Sequence, residues 1–233
     1  MIKHFDELPK NMQTPEVKKY FDYLKNKKVS LVLKRIFDIV VSLILLILLS
    51  PAFLVLAIAI KIDSEGPVFF RQERVTQYGK IFRIFKFRTM VQNAEKIGTQ
   101  VTVDNDSRIT KVGSFIRNSR LDEIPQLINV LKGDMSFVGT RPEVTKYVEK
   151  YTDEMMATLL LPAGVTSLAS IMFKDEAELL ANAKDADSTY INEILPKKMK
   201  YNLDSIKTFS FIGEIKIMFM TVLAVLGKEY KEE

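Results

Sequence analysis

The longest stretch of the chain without a charged residue is Ile39–Ile60, with the sequence IVVSLILLILLSPAFLVLAIAI. As one continuous helix these 22 residues would be about 33 Å long, at a rise of ~1.5 Å per residue. That length matches the ~30 Å hydrocarbon core of a bilayer, so a single transmembrane helix is the first interpretation. The segment therefore favours a membrane-associated fold.

A proline, Pro51, divides this run near its middle. It has no N–H, and its ring would clash with the carbonyl of Ile47 in a straight helix. Ser50, the residue before it, is biased away from the helical conformation. The break leaves arms of 12 and 10 residues, each about half a bilayer long. Since spanning helices tolerate kinks, the proline alone does not decide the topology.

Charges at both ends of the run favour a segment that enters and leaves on the same side. Lys34 and Arg35 precede the run and Lys61 follows it, whereas a single span has one basic flank. Asp38 can pair with either leading cation on one helix face. Without a partner it would cost about 2.5–3.5 kcal/mol in the bilayer. We expect a re-entrant helix–break–helix at 34–61, with a full span and a core helix or signal sequence as alternatives.

The composition excludes several kinds of catalytic site. The 233 residues contain no cysteine and one histidine, His4. Disulfides, cysteine-ligated metals and thiol catalysis are excluded, as are most Ser-His-Asp and multi-histidine metal sites. There are 34 basic and 29 acidic residues, for a net charge of +5. Chemistry must therefore depend on carboxylates, Lys, Arg, Tyr, hydroxyls and the main chain.

Both ends of the chain carry segments of mixed character. Residues 1–33 form a basic extension with seven lysines and four acids, which favours a solvated tail or helix over an arm on anionic lipid headgroups. Residues 206–226 are apolar but interrupted by three charges. We expect an amphipathic helix there, at the membrane surface or packed on the core. A loop is predicted at 104–107.

Residues 66–90 predict a basic, aromatic β-hairpin. Val68–Phe70 is a short predicted strand, Tyr78–Lys80 a turn and Ile81–Arg88 the second strand. Alternation along the second strand puts four side chains on one face: Phe82, Ile84, Lys86 and Arg88. The hairpin carries six basic residues and one acid. Nucleic acid would suit this pattern, but beside a membrane segment a phosphate-bearing substrate or lipid headgroup fits better, so no nucleic-acid partner is expected.

A short helix is predicted within the segment 117–142. Its apolar residues recur at helical spacing: Leu121, Ile124, Leu127, Ile128 and Leu131. Pro125 is tolerated in a first turn, and Gly133 is positioned to end the helix. No glycine-rich phosphate loop of the P-loop or Rossmann type occurs in the sequence, which disfavours both of those folds.

Charged groups surround this predicted helix. Asp122 and Glu123 lie at its start, where adjacent acids are most often capping residues favoured by the helix dipole. Other charges lie on both sides of the helix: Arg117, Arg120, Asp134 and Arg141. Carboxylates mixed with guanidinium groups suit a metal-bound phosphate ester. The surroundings therefore favour a site over a cap.

Six motifs follow one another along the chain: Lys34-Arg35-x-x-Asp38, Ser50-Pro51, Lys86-Phe87-Arg88-Thr89-Met90, Leu121–Gln126, Asn129–Gly139 and Arg141-Pro142. In this order the chain resembles the bacterial sugar transferases, also called monotopic phosphoglycosyl transferases. The match extends from about Leu33 to about Leu226. The block 122–142 is its most specific part.

The resemblance implies an α/β, monotopic fold. It would have a re-entrant helix at 34–61 and a cytoplasmic catalytic domain at 62–233, with a small β-hairpin and amphipathic surface helices. The implied activity transfers a sugar-1-phosphate from a UDP-sugar to polyprenyl (undecaprenyl) phosphate and releases UMP. It would act on the cytoplasmic face of the inner membrane, among membrane lipids, and initiate capsule, O-antigen or exopolysaccharide units. A homodimer is compatible with the sequence, which carries no signal for one.

The resemblance also assigns residue roles. Asp122 matches the family nucleophile, which forms a phosphosugar–aspartyl intermediate, and a carboxylate is a nucleophile available to a chain without a usable His or Cys. Glu123 matches the second acid of the dyad, which would hold the Mg²⁺ cofactor with Asp122 or assist proton transfer. Basic residues match positions near the phosphates or the nucleotide: Lys86, Arg88, Arg117 and Arg141.

The sequence departs from the family pattern at two places. Thr140 replaces the first proline of Pro-Arg-Pro. In Leu161–Thr166 a basic residue that commonly precedes Pro-Gly is missing, and Ser167 replaces a glycine. We expect Lys174 or Lys200 to compensate, or the donor pocket to be rebuilt. The alternatives to a phosphoglycosyl transferase are a UDP-releasing glycosyltransferase or phosphodiesterase, and a non-catalytic module that recruits partners to the membrane.

Overall fold

The protein is represented by a computed structural model that describes residues 2–94, 106–174, 176–181, 183 and 185–230. Positions 104 and 105 of the predicted loop lie outside these ranges. The described part is α/β, as predicted. Its helices are α1 (Pro15–Lys25), α2 (Lys28–Leu48), α3 (Ser50–Asp63), α4 (Lys111–Asn118), α5 (Gln126–Lys132), α6 (Thr145–Val148), α7 (Leu168–Met172), α8 (Glu176–Ala181), α9 (Ala186–Thr189), α10 (Leu195–Lys207) and α11 (Phe211–Val225).

Two small sheets contain the strands β1 (Phe69–Val75), β2 (Ile81–Phe87), β3 (Met135–Val138) and β4 (Ala163–Thr166). The first sheet is the predicted hairpin, with β1 antiparallel to β2. Its first strand is longer than the predicted one, and its turn has positive φ at Tyr78 (59°) and Gly79 (74°). The second sheet pairs β3 with β4 in parallel. This pairing places β3, which follows α5, beside β4, which belongs to the segment 161–167 where the sequence departs from the family pattern.

The uncharged run forms a bent helix pair. α2 ends at Leu48 and α3 begins at Ser50, with an angle of 61° between them. The break predicted at Ser50-Pro51 is thus confirmed. Within the described ranges, neither helix is by itself long and apolar enough to cross a bilayer, whereas the bent pair passes the same test. The pair exposes many large apolar side chains: Ile39, Val40, Leu43, Ile44, Ile47, Leu48, Leu54, Val55 and Ile58.

The charges at the start of α2 attach this helix to the rest of the fold. Lys34 forms an ion pair with Glu214 of α11. Arg35 donates to two main-chain carbonyls near the end of α5, at 2.7 and 2.8 Å. Asp38 accepts a hydrogen bond from the Phe137 N–H at 3.1 Å. The charges of Lys34 and Arg35 still act on Asp38 within their own helix, and long-range contacts add to them. A buried charge is stabilised only where polar partners surround it.

The N-terminal extension is part of the core and not a solvated tail. Four side chains of α1 are buried against α10 and the 3-10 turn Met155–Leu160: Val17, Tyr20, Phe21 and Leu24. Burial of each such side chain contributes about 1.5–3 kcal/mol. The boundary predicted between residues 33 and 34 falls inside α2, which begins at Lys28. The extension and the first membrane-type helix are therefore joined without a linker.

The C-terminal apolar segment contains parts of two helices. α10 ends at Lys207, and Ser210 caps α11 by accepting a hydrogen bond from the Gly213 N–H at 3.1 Å. One side of α11 contacts α2, α7 and β3. The other exposes apolar residues: Ile212, Phe219, Val222, Leu223 and Val225. The predicted helix thus packs on the core with one side and leaves an apolar surface on the other.

Candidate active site

The two acids of the predicted dyad lie on a short 3-10 turn, Leu121–Glu123, directly before α5. Pro125 is the N-terminal cap residue of α5, and Gly133 ends it at φ 86°, as predicted. Among the described residues, no side chain makes a capping hydrogen bond at the start of α5. The acids therefore precede the helix without capping it, and their carboxylates point to partners outside it.

Asn129 attaches α5 to strand β2. Its Oδ1 accepts a hydrogen bond from the Phe85 N–H at 2.8 Å, and its Nδ2 donates to the Arg83 carbonyl at 3.1 Å. The side chain is fully buried. Because both bonds go to the main chain on either side of residue 84, they hold the strand in one position along the helix. Lys86, two residues further along β2, is thereby brought to the acids.

Glu123 lies between two cations. Lys86 Nζ is 2.7 Å from Glu123 Oε1, and Arg141 donates to the same carboxylate from both of its terminal nitrogens. Asp122 is less closely paired, since its Oδ2 is 3.9 Å from Lys86 Nζ. The cluster therefore neutralises one acid with two cations, which make three charge-assisted hydrogen bonds to it. It leaves the other acid beside a cation but without direct contact.

The contacts around the two acids shift their pKa values in opposite directions. Burial raises the pKa of Asp122 above its usual value, and Lys86 opposes the shift only in part. Burial alone would also raise the pKa of Glu123, but the charges of Arg141 and Lys86 outweigh it and hold that pKa well below the usual range. The Glu123 carboxylate in turn raises the pKa of Arg141. Two adjacent acids thus have pKa values moved apart, an arrangement typical of functional sites.

The other predicted basic residues have different positions. Arg117, in the last turn of α4, is close enough to lower the pKa of Asp122. Arg120, just before the dyad, has a left-handed backbone at φ 55°. Arg88 is not brought to the cluster, because its buried guanidinium donates to carbonyls at the end of α3, including that of Ser64 at 2.7 Å. It joins the hairpin sheet to the bent helix pair.

Asp134 lies at the opposite end of α5 from the dyad. Its carboxylate is 3.1 Å from Lys80 Nζ and 3.6 Å from Lys132 Nζ. The acids predicted around this helix therefore separate into two groups, and only Asp122 and Glu123 remain as candidates for the reaction. Asp134 connects the end of α5 to the hairpin turn.

A polar cavity of about 230 Å³ adjoins the dyad on the far side of Arg141. Its wall contains three cations, two acids and two tyrosines: Arg74, Arg141, Lys198, Glu143, Glu176, Tyr147 and Tyr190. Lys198 Nζ is buried and lies 2.7 Å from Glu176 Oε2. Lys174 and Lys200, which were expected to compensate for the missing basic residue, are exposed and do not line this cavity. Lys198 and Arg74 are there instead.

One sequence signal marks Lys198. It shares the buried face of α10 with Leu195, Met199 and Asn202. A lysine on the apolar side of an amphipathic helix is rarely buried without a partner. Its acidic partners come from distant parts of the chain, so the sequence does not identify them.

The sequence pattern of the bacterial sugar transferase family matches residues 29–228. The chain belongs to the bacterial sugar transferase family. It is 39% identical over 197 residues to "UDP-N-acetylgalactosamine-undecaprenyl-phosphate N-acetylgalactosaminephosphotransferase" of Aeromonas hydrophila, covering 83% of this chain and 44% of that protein. It is 39% identical over 199 residues to "UDP-glucose:undecaprenyl-phosphate glucose-1-phosphate transferase" of Escherichia coli K12, covering 83% of this chain and 40% of that protein.

This family member is also similar to a relative of comparable length. It is 34% identical over 199 residues to "Uncharacterized sugar transferase EpsL" of Bacillus subtilis 168, and the match covers 85% of this chain and 90% of that protein. By contrast, it spans about two fifths of the length of the two enzymes from Aeromonas hydrophila and Escherichia coli.

The acidic dyad of this sugar transferase fits one mode of Mg²⁺ binding. Within the described ranges, no group of three or more His, Asp or Glu side chains converges on one point. Mg²⁺ is often held by one or two carboxylates together with substrate phosphates and water. Asp122 and Glu123 supply two such carboxylates. The residues therefore fit an ion that is shared with a bound diphosphate, and not one enclosed by protein ligands alone.

Proposed function

We propose that this sugar transferase moves a sugar-1-phosphate from a UDP-sugar to polyprenyl phosphate and releases UMP. The observation that carries the proposal is the arrangement of Asp122 beside Glu123, Lys86 and Arg141. It combines a carboxylate that lies 3.9 Å from the Lys86 ammonium with cations suited to phosphate oxygens. The names of the two relatives from Aeromonas hydrophila and Escherichia coli give the same donor and acceptor classes.

The first step uses Asp122 as a nucleophile. A carboxylate oxygen would form a bond to the β-phosphorus of the UDP-sugar, and the bond from that phosphorus to the bridging oxygen would break. The bridging oxygen leaves with the electron pair as part of UMP. A phosphosugar–aspartyl ester remains on the enzyme. Lys86, Arg117 and Arg141 would offset the repulsion between the anionic carboxylate and the diphosphate.

The second step transfers the phosphosugar to the acceptor. An oxygen of polyprenyl phosphate would attack the same phosphorus, and the bond to the Asp122 oxygen would break. The products are polyprenyl-diphosphate-sugar and a free Asp122 carboxylate. A phosphate monoester has a second pKa of about 6, so at neutral pH it is largely a dianion that needs no general base. Glu123, held ionised by its two cations, would act in charge balance and not in proton transfer.

Asp122 and Glu123 would hold Mg²⁺ together with the diphosphate oxygens. The ion, when bound, would neutralise phosphate charge and favour departure of UMP. Glu123 is suited to this role because its carboxylate remains charged at neutral pH. The same charge holds Arg141 in place, so the acid would serve both the ion and the guanidinium that faces the donor.

We propose further that α2 and α3 enter one leaflet and return to the cytoplasmic side. The many exposed apolar side chains on this pair and on α11 support this arrangement, since monomeric soluble proteins rarely expose large apolar patches. The arms are about 30 and 20 Å long at ~1.5 Å per residue, and the charged part of α2 faces protein. The dyad would then lie at headgroup level on the cytoplasmic face of the inner membrane, where it can meet a lipid phosphate and initiate a polysaccharide unit.

The decisive experiment is nucleotide release. Detergent-purified protein is incubated with Mg²⁺, undecaprenyl phosphate and a panel of UDP-sugars. The proposal expects UMP from at least one donor, dependent on Mg²⁺ and absent in Asp122→Asn. Release of UDP would identify an ordinary glycosyltransferase and contradict the aspartyl mechanism. No nucleotide from any donor, with a correctly folded protein, would favour the recruitment module.

A further inference from the structure

We propose that the cavity beyond Arg141 is the subsite for the donor's sugar and that it determines which UDP-sugar is used. The inference rests on the proposed function and, apart from Arg141, concerns residues that the catalytic steps do not use. The cavity is defined here as the space enclosed by Arg74, Arg141, Glu143, Tyr147, Glu176, Tyr190 and Lys198.

Its location suits the group attached to the reacting phosphorus. Arg141 contacts Glu123 of the dyad and also lines the cavity. A phosphate bound between Asp122 and Arg141 would therefore have its substituents at the cavity mouth. Arg74, on the hairpin strand β1, lines the same wall and is held by the Pro142 carbonyl at 3.1 Å and Gln72 Oε1 at 2.7 Å.

Its size fits part of the donor and not the whole. The volume is about 230 Å³, below the ~300–1,000 Å³ of pockets that enclose a drug-sized ligand. A UDP-sugar contains a base, a ribose, two phosphates and a hexose, which exceeds this space. One moiety is therefore enclosed, while the remainder lies over the dyad or in solvent.

The chemistry of the wall favours the hexose over the uracil base. Glu143 and Glu176 present carboxylates, which accept hydrogen bonds only, and a hexose supplies several hydroxyl donors. Lys198 Nζ lies 2.7 Å from Glu176 Oε2 and 3.9 Å from Glu143 Oε1, so one ammonium group lies close to both carboxylates. The rings of Tyr147 and Tyr190, whose centroids are 4.7 Å apart, add an apolar surface for the sugar's C–H groups.

Arg74, on the cavity wall, has one guanidinium nitrogen, Nε, without a protein partner among the described residues. Because this atom is inaccessible to solvent, it does not by itself identify what occupies the cavity. Tyr190, by contrast, is fully engaged, with its hydroxyl donating to Glu143.

The test uses Glu176→Gln, which preserves the shape of the side chain and removes its charge. Glu193→Gln is the matched control, because Glu193 is exposed and lies outside the cavity. Calorimetric binding is measured for UMP, UDP-glucose, UDP-galactose and UDP-N-acetylgalactosamine, and kcat/KM for the three donors. Tyr190→Phe is a second variant that keeps the ring and frees the Glu143 carboxylate.

The expected result is a change in relative kcat/KM among the donors of about tenfold or more, as loss of a charge-assisted hydrogen bond to one hydroxyl would give. UMP affinity stays within about twofold, and Glu193→Gln behaves like the unmodified protein. An equal loss of affinity for UMP and all donors would overturn the inference, because the cavity would then hold the nucleoside. Unchanged donor ratios in both cavity variants would also overturn it.

The results that would contradict the proposed function differ from those that would contradict the subsite. If the unmodified protein binds UDP-sugars more tightly than UMP but releases no UMP, the subsite stands and the transfer reaction does not. If UMP is released and the donor ratios do not respond to Glu176→Gln or Tyr190→Phe, the reaction stands and the subsite does not.

Discussion

Lys86 Nζ donates to Glu123 Oε1 at 2.7 Å, although the two residues are 37 positions apart and belong to different elements. The same ammonium lies 3.9 Å from Asp122 Oδ2. One lysine therefore interacts with both acids but pairs closely with only one of them. With Arg141 on the other side of Glu123, the charge of Glu123 is already balanced. This leaves Asp122 as the less closely paired acid, which suits the role of nucleophile proposed for it.

The first prediction concerns the covalent intermediate. Incubation with a reactive UDP-sugar and Mg²⁺, without the lipid acceptor, should add one phosphosugar to Asp122, because the first step needs no acceptor. Mass spectrometry of the intact protein and its peptides measures the adduct. Asp122→Asn should show no adduct and lose turnover by roughly three orders of magnitude or more.

The control for this prediction is Asp134→Asn. It changes an acid at the opposite end of α5, which is paired with Lys80 and Lys132. This variant should retain both adduct and turnover. An adduct that persists in Asp122→Asn, or that maps to another residue, would remove Asp122 from the role of nucleophile.

The second prediction concerns the pH profile of kcat/KM. Substitution of Lys86 and substitution of Glu123 should shift its acid limb in opposite directions. The proposed nucleophile must be ionised to react, so kcat/KM should fall as the pH drops through the raised pKa of Asp122. Lys86 lowers that pKa and Glu123 raises it. Lys86→Met should therefore move the acid limb to higher pH, and Glu123→Gln should move it to lower pH.

The positions of the limbs decide this prediction, not the maximal rates, which both substitutions are expected to reduce. The profile of kcat/KM against pH is measured for UMP release with one donor. If the two limbs shift in the same direction, the charges around Asp122 do not set its protonation.

The third prediction concerns Asn129 as a positioning residue. Asn129→Leu would leave the Phe85 N–H and the Arg83 carbonyl without their partners. The expected loss is about 1–3 kcal/mol of unfolding free energy for each unsatisfied group. Because β2 would no longer be held along α5, the acid limb should also move to higher pH, as for Lys86→Met.

Denaturant unfolding and the pH profile together test the role of Asn129. The control is Asn11→Leu, at an exposed position near the N-terminus. It should change neither the unfolding free energy nor the pH profile. Lost stability with an unchanged acid limb would mean that Asn129 supports the fold but does not position Lys86.

The fourth prediction concerns topology. Since the chain has no cysteine, single cysteines can be introduced at Lys27 and Glu65, which are exposed on either side of the bent helix pair. A re-entrant pair puts both on the cytoplasmic side. Both should resist a membrane-impermeant maleimide in intact spheroplasts and react in inverted vesicles. Reaction of one of the two from outside would show a span.

Several parts of the structure follow from local sequence. Pro51 predicts a break that the bent helix pair confirms, and Tyr78-Gly79 predicts the turn of the hairpin. Gly133 predicts the end of α5. Each of these depends on the conformations that one or two residues allow, so neighbouring residues are sufficient to predict them.

Other predictions failed where a charge found its partner far along the chain. Asp38 is acted on by the charges of its own helix, but it also accepts a hydrogen bond from the Phe137 N–H, which the local sequence does not predict. Arg88 was expected near the phosphates and instead joins β2 to the end of α3. The extension 1–33 looked solvated by its lysines, yet its apolar residues are buried against α10.

The sequence by itself determined the family motifs, the acidic dyad, the absence of cysteine chemistry and the position of the break in the apolar run. Only the tertiary structure decided which cations neutralise Glu123, that Lys198 and Arg74 line the cavity, and that Lys34 pairs with Glu214, 180 positions away. The physical reason is that backbone preferences are local. The partner of a buried charge is set instead by which helices and strands pack together, and that depends on the whole chain.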